Sequence, residues 1–284
     1  RKFLWFFLFK EKTVASKLNV TDNRTHKNTI SEMRTALITG ATSGIGEATA
    51  RRFGALGYRL ILTGRRSHRL EAVKRAIETE HKTEILALSF DIRERAAVER
   101  AIAGLSDTWK QIDILVNNAG LAAGLEHIDE GDPDDWERMI DTNVKGLLYI
   151  TRQVAPLMIA SGGGHIVNIG SIAGRQTYEN GAVYCASKHA VNALSQGMRI
   201  DLLKHGIKVS QIRPGMVDTE FSTVRFHGDK TRADAVYKGI TPLTGDDIAR
   251  VVEWIATLPP HININDIEVM PDRQADAFYT WRGN

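Results

Sequence analysis

Tyr184 and Lys188 stand four residues apart within an apolar-periodic stretch, Ala182 to His205, that reads as a helix, so both side chains leave one face of it. A free tyrosine has a pKa of about 10, so about one phenol in a thousand is ionised near neutrality. An ammonium about 4 Å away contributes up to ~4 kcal/mol at an effective dielectric near 20, roughly three pKa units. A tyrosine beside a lysine can therefore exchange a proton near pH 7. The bare Tyr-x-x-x-Lys spacing is also common on surfaces, and its meaning depends on what else the chain carries.

A second chemical feature precedes it. The run Thr39-Gly40-Ala41-Thr42-Ser43-Gly44-Ile45-Gly46 lies between a first strand pattern and a first helix pattern. In such a turn one glycine permits the tight bend, one lets a pyrophosphate approach the backbone, and one lets helix and strand pack closely. The helix start offers free amides and a positive dipole to phosphate. A glycine cluster alone is weak evidence; in this position it reads as a dinucleotide site. The second strand pattern ends at Thr63-Gly64-Arg65-Arg66, with no carboxylate where NAD's adenosine ribose 2′-hydroxyl would be bound. A carboxylate would repel a 2′-phosphate, whereas Arg65 and Arg66 can hold one through charge-assisted bonds. NADP is the cofactor this pattern favours over NAD. The bland alternative is a pair of solvated arginines at a helix start.

These groups need a frame to hold them. Thr35 to Thr39, Arg59 to Thr63, Glu84 to Leu88, Ile112 to Val116, His165 to Ile169, Ile207 to Ile212 and Asp266 to Met270 are short apolar runs that read as buried strands. Helical patterns lie between them: Gly46 to Leu56, Arg69 to Glu80, Trp136 to Ala160, Ala182 to His205 and Asp246 to Leu258. Strands apolar on both faces and alternating with helices predict an α/β fold, a Rossmann-type doubly wound parallel sheet of about seven strands. Ligands are then expected outside the carboxyl ends of the strands. Residues 33–284 read as a single domain, with an irregular segment at about 218–244 as a candidate substrate lid.

Composition sets further bounds. The chain has 284 residues, 43% apolar and 25% charged, in the range of an ordinary globular domain. A net charge of +3 is too mild to argue for nucleic acid. A lone cysteine, Cys185, allows neither an intrachain disulfide nor a cysteine-built metal site, and it suits a cytoplasmic protein. The nine histidines form no pair at helical zinc spacing, so no metal is expected. Residues 1–32 look foreign to the rest. The run Phe3 to Phe9 is far shorter than the ~20 residues of a membrane helix, and no small-residue cleavage site follows it. We expect Met33 to be the natural start and residues 1–32 to be a leader or disordered extension. The competing reading is a membrane-docking segment.

Taken in order, the landmarks resemble the short-chain dehydrogenase/reductase family. They are Thr-Gly-x-x-x-Gly-x-Gly at Thr39, Asn117-Asn118-Ala119-Gly120 after the fourth strand, Asn143 in the next helix and Ser171 ending the fifth strand. Tyr184-x-x-x-Lys188 and Pro214-Gly215-x-Val217-x-Thr219 follow. The resemblance spans Thr35 to the C-terminus and implies roles. Tyr184 exchanges the proton with substrate oxygen, and Ser171 hydrogen-bonds and orients that oxygen. Lys188 lowers the tyrosine pKa and holds the nicotinamide ribose, and Asn143 holds a water that relays protons to Lys188. The alternative for Asn143 is an amide bonded to neighbouring backbone. Gly40, Thr42, Ser43, Gly44, Ile45, Gly46, Arg65 and Arg66 would hold the phosphate-bearing half of the cofactor. Asp91 and Ile92 would line the adenine, Asn117 and Gly120 the adjoining edge, and Pro214, Gly215, Val217 and Thr219 the nicotinamide end beside Tyr184 and Lys188.

Two longer runs narrow the resemblance, Arg213 to Asp229 and Trp254 to Asn265. They resemble the NADP-dependent 3-hydroxy acid dehydrogenases, a subgroup that also covers serine and L-allo-threonine dehydrogenases and malonic semialdehyde reductases. That implies hydride transfer between NADP(H) and the 3-hydroxyl or 3-oxo group of a small hydroxy acid, in a homotetramer. Substrate would then meet Ser171, Tyr184 and Arg225, with Arg225 holding the carboxylate by a bidentate pair. Arg175, just after Ser171, is the other candidate, and a plain surface arginine is the alternative for Arg225. Two rivals remain open: a reductase of another carbonyl, such as a 3-oxoacyl thioester or diketone, and a non-catalytic NADP(H)-binding sensor.

Overall fold

Thr35–Thr39 forms strand β1 in the computed structural model of the chain, which describes residues 33–283. The leader reading of residues 1–32, with its Phe3 to Phe9 run, lies outside the described residues. All of β1 is buried, and its neighbours Leu37 and Ile38 join two different apolar clusters. That is the strand's two-residue period with both faces covered. The chain continues through α1 (Gly44–Ala55), β2 (Arg59–Gly64), α2 (Ser67–His81), β3 (Ile85–Ser89), α3 (Arg95–Ala103) and β4 (Ile114–Asn117). Next come α4 (Pro133–Ile140), a π-helical turn at Asp141–Gly146, α5 (Leu147–Ala160), β5 (Gly164–Ile169) and α6 (Ala182–Leu202). Then follow β6 (Ile207–Pro214), β7 (Val217–Asp218), α7 (Glu220–Arg225), α8 (Lys230–Ala235), β8 (Leu243–Thr244), α9 (Gly245–Thr257) and β9 (Asp266–Val269).

Seven strands build one sheet in the order β3-β2-β1-β4-β5-β6-β9, and every neighbouring pair is parallel. This is the doubly wound sheet that the apolar runs predict. One face carries a core of Ile38, Phe53, Leu62, Ile77 and Val252, which brings in α1, α2 and α9. The other carries Leu37, Ile102, Ile150, Val154 and Met158, which brings in α3 and α5. The chain leaves the sheet in opposite directions on either side of β1 and β4, opening a crevice at their carboxyl ends.

Three segments differ from expectation. The single helix read over Trp136 to Ala160 starts earlier, at Pro133, where the Asp132 side chain accepts from the Asp134 amide at 2.9 Å. It is then interrupted by the π turn that contains Asn143. Helix α3 gave little signal because only Val98 and Ile102 of its nine residues are buried. The segment at 218–244, expected to be irregular, contains two six-residue helices and a small parallel ladder, β7 with β8. The caps Thr219 and Asp229 start those helices, which are too short to show a helical period. Among the described residues no helix is long and apolar enough to cross a membrane.

Candidate active site

A cavity of about 320 Å³ opens at the carboxyl ends of the central strands, running from Arg65 and Arg66 to Ser171, Tyr184 and Lys188. The glycine turn forms one wall. Gly44 has φ +55°, a conformation that side-chain-bearing residues rarely adopt. A Cβ on Gly46 would lie 2.4 Å from both the Gly40 carbonyl oxygen and the Asn118 amide nitrogen, so only glycine lets α1 seat against the turn. Asn118 fastens the turn from β4, its Nδ2 donating to the carbonyls of Thr39 at 2.9 Å and Gly40 at 3.1 Å. The result is a cradle at the start of α1 whose backbone a phosphate can approach.

Arginine defines the outer end. Arg66 Nη2 donates to Thr42 Oγ1 at 2.8 Å and to Ser43 Oγ at 2.9 Å, and its Nη1 donates to Glu220 at 2.7 Å. Arg69, one turn further along α2, donates to the other oxygen of Glu220. Burial opposes ionisation of Glu220, but the bonds from Arg69 and Arg66 outweigh it and hold the carboxyl down to about 2. Arg65 is half-exposed and pairs with Asp91 at 3.7 Å. Asp91 also takes Arg93, through Nη2 at 2.7 Å. Two guanidinium groups, the hydroxyls of Thr42 and Ser43 and a free helix start can hold a ribose phosphate here.

The inner end is buried. Ser171 caps a short 3-10 turn, its Oγ accepting from the Ala173 amide at 3.1 Å, and it lines the cavity with Tyr184. Tyr184 is buried against Phe221, edge-on at 5.6 Å between ring centres, and against Arg225, whose guanidinium carbon lies 5.1 Å from the centre of each ring. Burial pushes the phenol well above its usual value; Tyr178 adds to that, while Arg225 and Ser171 oppose it. Burial pushes the Lys188 ammonium down to about 8. Its Nζ donates to the Ile169 carbonyl at 3.0 Å and sits 5.9 Å from the Tyr184 ring centre. The lysine is turned to a backbone carbonyl, burial dominates, and the opposing cation is Arg225.

Residues 34–230 match the short chain dehydrogenase family. The chain belongs to that family. It is 49% identical over 242 residues to the NADP-dependent 3-hydroxy acid dehydrogenase YdfG of Salmonella typhi, covering 85% of this chain and 96% of that protein. It is 48% identical over 239 residues to the sulfoacetaldehyde reductase of Chromohalobacter salexigens, covering 84% and 94%. Among solved structures, the closed form of serine dehydrogenase complexed with NADP+ superposes with a TM-score of 0.83 at 45% identity, covering 88% of this chain and all of the other.

For a short chain dehydrogenase, the placement of the sequence-predicted residues is uneven. Gly40, Thr42, Ser43, Gly44, Ile45, Arg65, Arg66, Asp91, Ile92, Gly120, Pro214, Gly215, Val217 and Thr219 all line the cavity with Ser171, Tyr184 and Lys188. Asn117 does not. It ends β4 pointing into the core, where Nδ2 donates to Thr151 at 3.0 Å and Asn168 at 2.9 Å. Asn118 lines the cavity in its place. Asn143 is buried beneath the wall, its Oδ1 accepting from the Leu121 amide and its Nδ2 donating to the Leu121 carbonyl, both at 2.8 Å, and to Ser187 at 3.0 Å. Both of its N–H donors are taken, while Oδ1, which accepts one bond, keeps a second lone pair. A Cβ on Gly120 would come within 3.2 Å of Asn143 Oδ1 and 3.5 Å of Lys188 Nζ, so glycine there lets the two groups approach.

The two arginines proposed for a substrate carboxylate part company. Arg175 is exposed and donates to Glu268 on β9 at 2.6 Å, away from the cavity. Arg225 lies behind the tyrosine and lines a second cavity of about 20 Å³ that also reaches Tyr184. Its Nη2 donates to the Tyr178 hydroxyl at 2.9 Å, and its Nε is buried without a partner. Sequence reasoning missed Arg69, Glu220, Tyr178 and Phe221. Arg69 carried one usable signal, a third arginine one helical turn after Arg66. Among the described residues no group of three or more His, Cys, Asp or Glu could hold a metal ion.

Proposed function

We propose that the chain is an NADP-dependent 3-hydroxy acid dehydrogenase, interconverting a small hydroxy acid such as serine, allo-threonine or 3-hydroxypropionate with the 3-oxo compound. The observation that carries this reading is the arrangement along one cavity, with phosphate-binding arginines at one end and Ser171, Tyr184 and Lys188 at the other, and Arg225 packed on Tyr184 from an adjoining smaller cavity. The relatives' names supply the substrate class. The glycine turn, Arg65 and Arg66 would hold the dinucleotide, which when bound would supply or accept the hydride.

The chain's own residues handle the proton and the anion. Ser171 donates to the substrate oxygen and fixes it against the phenol. Tyr184 removes the 3-hydroxyl proton during oxidation and returns it during reduction. Phe221 and Val224 give the reacting end an apolar wall, which strengthens charge interactions beside it. Lys188 holds ribose hydroxyls from below. Arg225 draws the carboxylate towards the reacting carbon, and its buried, unpaired Nε is a donor in want of an acceptor. A β-keto acid product loses carbon dioxide without further groups from the protein. A sulfonate presents the same charge to Arg225, so a sulfonated aldehyde is a second substrate reading, favoured by the reductase relative.

The test is nicotinamide absorbance with L-serine, L-allo-threonine, 3-hydroxypropionate and sulfoacetaldehyde, with the NADP and NAD couples, beside Tyr184→Phe. Tyr184-dependent turnover of these anions with the NADP couple is expected. Turnover of neutral carbonyls alone would overturn the acid reading and leave the proton chemistry standing. Tight NADPH binding with no turnover would favour a sensor.

We further read the protein as a cytoplasmic homotetramer. Its lone cysteine, Cys185, is free and buried, which suits a reducing compartment. Leu148 and Ile159 on α5, and Ile200 on α6, are exposed apolar side chains on the two helices through which subunits would pair. Light scattering of the purified protein checks this, and a monomer would contradict it.

A further inference from the structure

Glu220 occupies an unusual position for a carboxylate. It faces the cavity beside Thr42 and Ser43, and it accepts from both Arg66 and Arg69. A dinucleotide site that selects a 2′-phosphate gains nothing from a fixed negative charge at that end. Yet the sequence places one there, and the fold aims it at the arginine that the phosphate needs.

Each nitrogen of Arg66 is engaged. Nε and Nη2 reach the Thr42 hydroxyl, Nη2 also reaches Ser43, and Nη1 reaches Glu220. The two hydroxyls can rotate and donate to an arriving phosphate, so they adapt to it. Ionised Glu220 has no proton to donate. It can only accept, as the phosphate does, so the two anions contend for the same N–H donors. Arg69 gives the carboxylate a second hold, from the next turn of α2, when Arg66 turns away.

Glu220 is also the first residue of α7. The same six-residue helix carries Phe221 against the Tyr184 ring and ends at Arg225, whose guanidinium packs against both rings. Whatever happens to the Glu220 carboxylate is therefore passed to the helix that covers the reacting tyrosine.

We propose that Glu220 is a specificity-determining residue that competes with the cofactor's 2′-phosphate for Arg66, so that the seating of α7 over Tyr184 senses whether that phosphate is present. The proposal rests on the NADP reading above. It gives the carboxylate a cost in NADP affinity and a use, since a cofactor without the phosphate leaves the Glu220–Arg66 bond intact. The closing experiment separates the two ideas by using adenosine fragments as probes.

Binding of 2′,5′-ADP and of 5′-AMP is measured by calorimetry on the whole chain and on Glu220→Gln, with hydrogen exchange of the α7 amides followed in wild type under saturating NADPH and NADH. Glu220→Gln should bind 2′,5′-ADP roughly three- to ten-fold more tightly, the scale of one screened like charge at a half-exposed site, and 5′-AMP unchanged. The amides of Phe221 to Arg225 should exchange faster with NADPH than with NADH. Weaker or equal binding of 2′,5′-ADP by Glu220→Gln overturns the proposal, because Glu220 then merely orients the arginines. A parallel gain for 5′-AMP, or identical α7 exchange with the two cofactors, overturns it as well. If wild type itself binds 5′-AMP better than 2′,5′-ADP, the NADP reading falls, and this proposal with it.

Discussion

The guanidinium carbon of Arg225 lies 5.1 Å from the centre of the Tyr184 ring, nearer than the Lys188 ammonium at 5.9 Å. The lid segment thus supplies the closer cation to the phenol, and Arg225 is a charge that favours its ionised form. Removing it acts twice. Arg225→Leu should raise the KM for L-serine roughly ten- to hundred-fold, the scale of a lost charge-assisted bond. It should also move the acidic limb of the pH–rate profile for alcohol oxidation upward, because ionisation of Tyr184 loses a favourable charge. Neutral carbonyl substrates should keep their KM. An unshifted profile with an unchanged KM for L-serine would remove Arg225 from the site.

Tyr178 holds that arginine in place. Its hydroxyl accepts from Arg225 Nη2 at 2.9 Å, and the guanidinium carbon also stands 6.0 Å from its ring centre. Tyr178→Phe leaves the ring and removes the acceptor. The KM for acidic substrates should rise roughly three- to ten-fold, less than for loss of the arginine itself. The kcat at saturation should change little, since Tyr178 does not line the main cavity. A fall in kcat with KM unchanged would assign Tyr178 to the proton chemistry instead.

Gly46 gives a packing prediction. A Cβ there would sit 2.4 Å from the Gly40 carbonyl oxygen, which is backbone and cannot swing aside. Gly46→Ala must push α1 away from the turn, at about 1–3 kcal/mol. The phosphate cradle is built from those same atoms, so NADPH affinity should fall further than the melting temperature alone would suggest. Calorimetric binding beside a thermal melt checks this; a melt shift with unchanged NADPH affinity would mean the turn adjusts without disturbing the cradle.

What was legible in the sequence follows from how each signal arises. Seven strands and five long helices were readable because burial on both faces, or along one stripe, writes itself into local apolar spacing. Gly44 was readable because neighbours in the chain define its turn, whereas Ser171 was named through the family resemblance and the bare Tyr184–Lys188 spacing took its meaning from it. Asn117 was misplaced because Asn117 and Asn118 are adjacent and alike, and only the pleat of β4 decides which faces the cavity. Glu220 and Tyr178 were not readable at all. Glu220 meets Arg66 across 154 residues of chain and Tyr178 meets Arg225 across 47, and no local pattern records such a meeting. The helices of the lid segment were hidden by their length, since six residues hold less than two turns.

His165 supplies a prediction far from the site. It lies on β5 with its ring buried, Nε2 bonded to Ser210 Oγ at 2.8 Å and Nδ1 without a partner. Burial, reinforced by the charge of Lys208, pushes its pKa down to about 3. In the unfolded chain the ring titrates near its ordinary value of about 6.5. The folded pKa is the lower one, so below about pH 6.5 the unfolded state binds a proton that the folded state refuses. The stabilisation from a neutral His165 is therefore complete above pH 6.5 and is lost as the pH falls towards 3. The loss should approach about 1.4 kcal/mol per pH unit for one such group. His165→Leu fills the same apolar site without a titrating ring, and Ser210 keeps its bond to Asn263 at 3.3 Å. Urea unfolding at pH 7.5 and 5.5 should show wild type losing stability across that interval and His165→Leu losing about 1 kcal/mol less. Equal losses in the two proteins would mean that the ring is hydrated, or already charged, in the folded sheet.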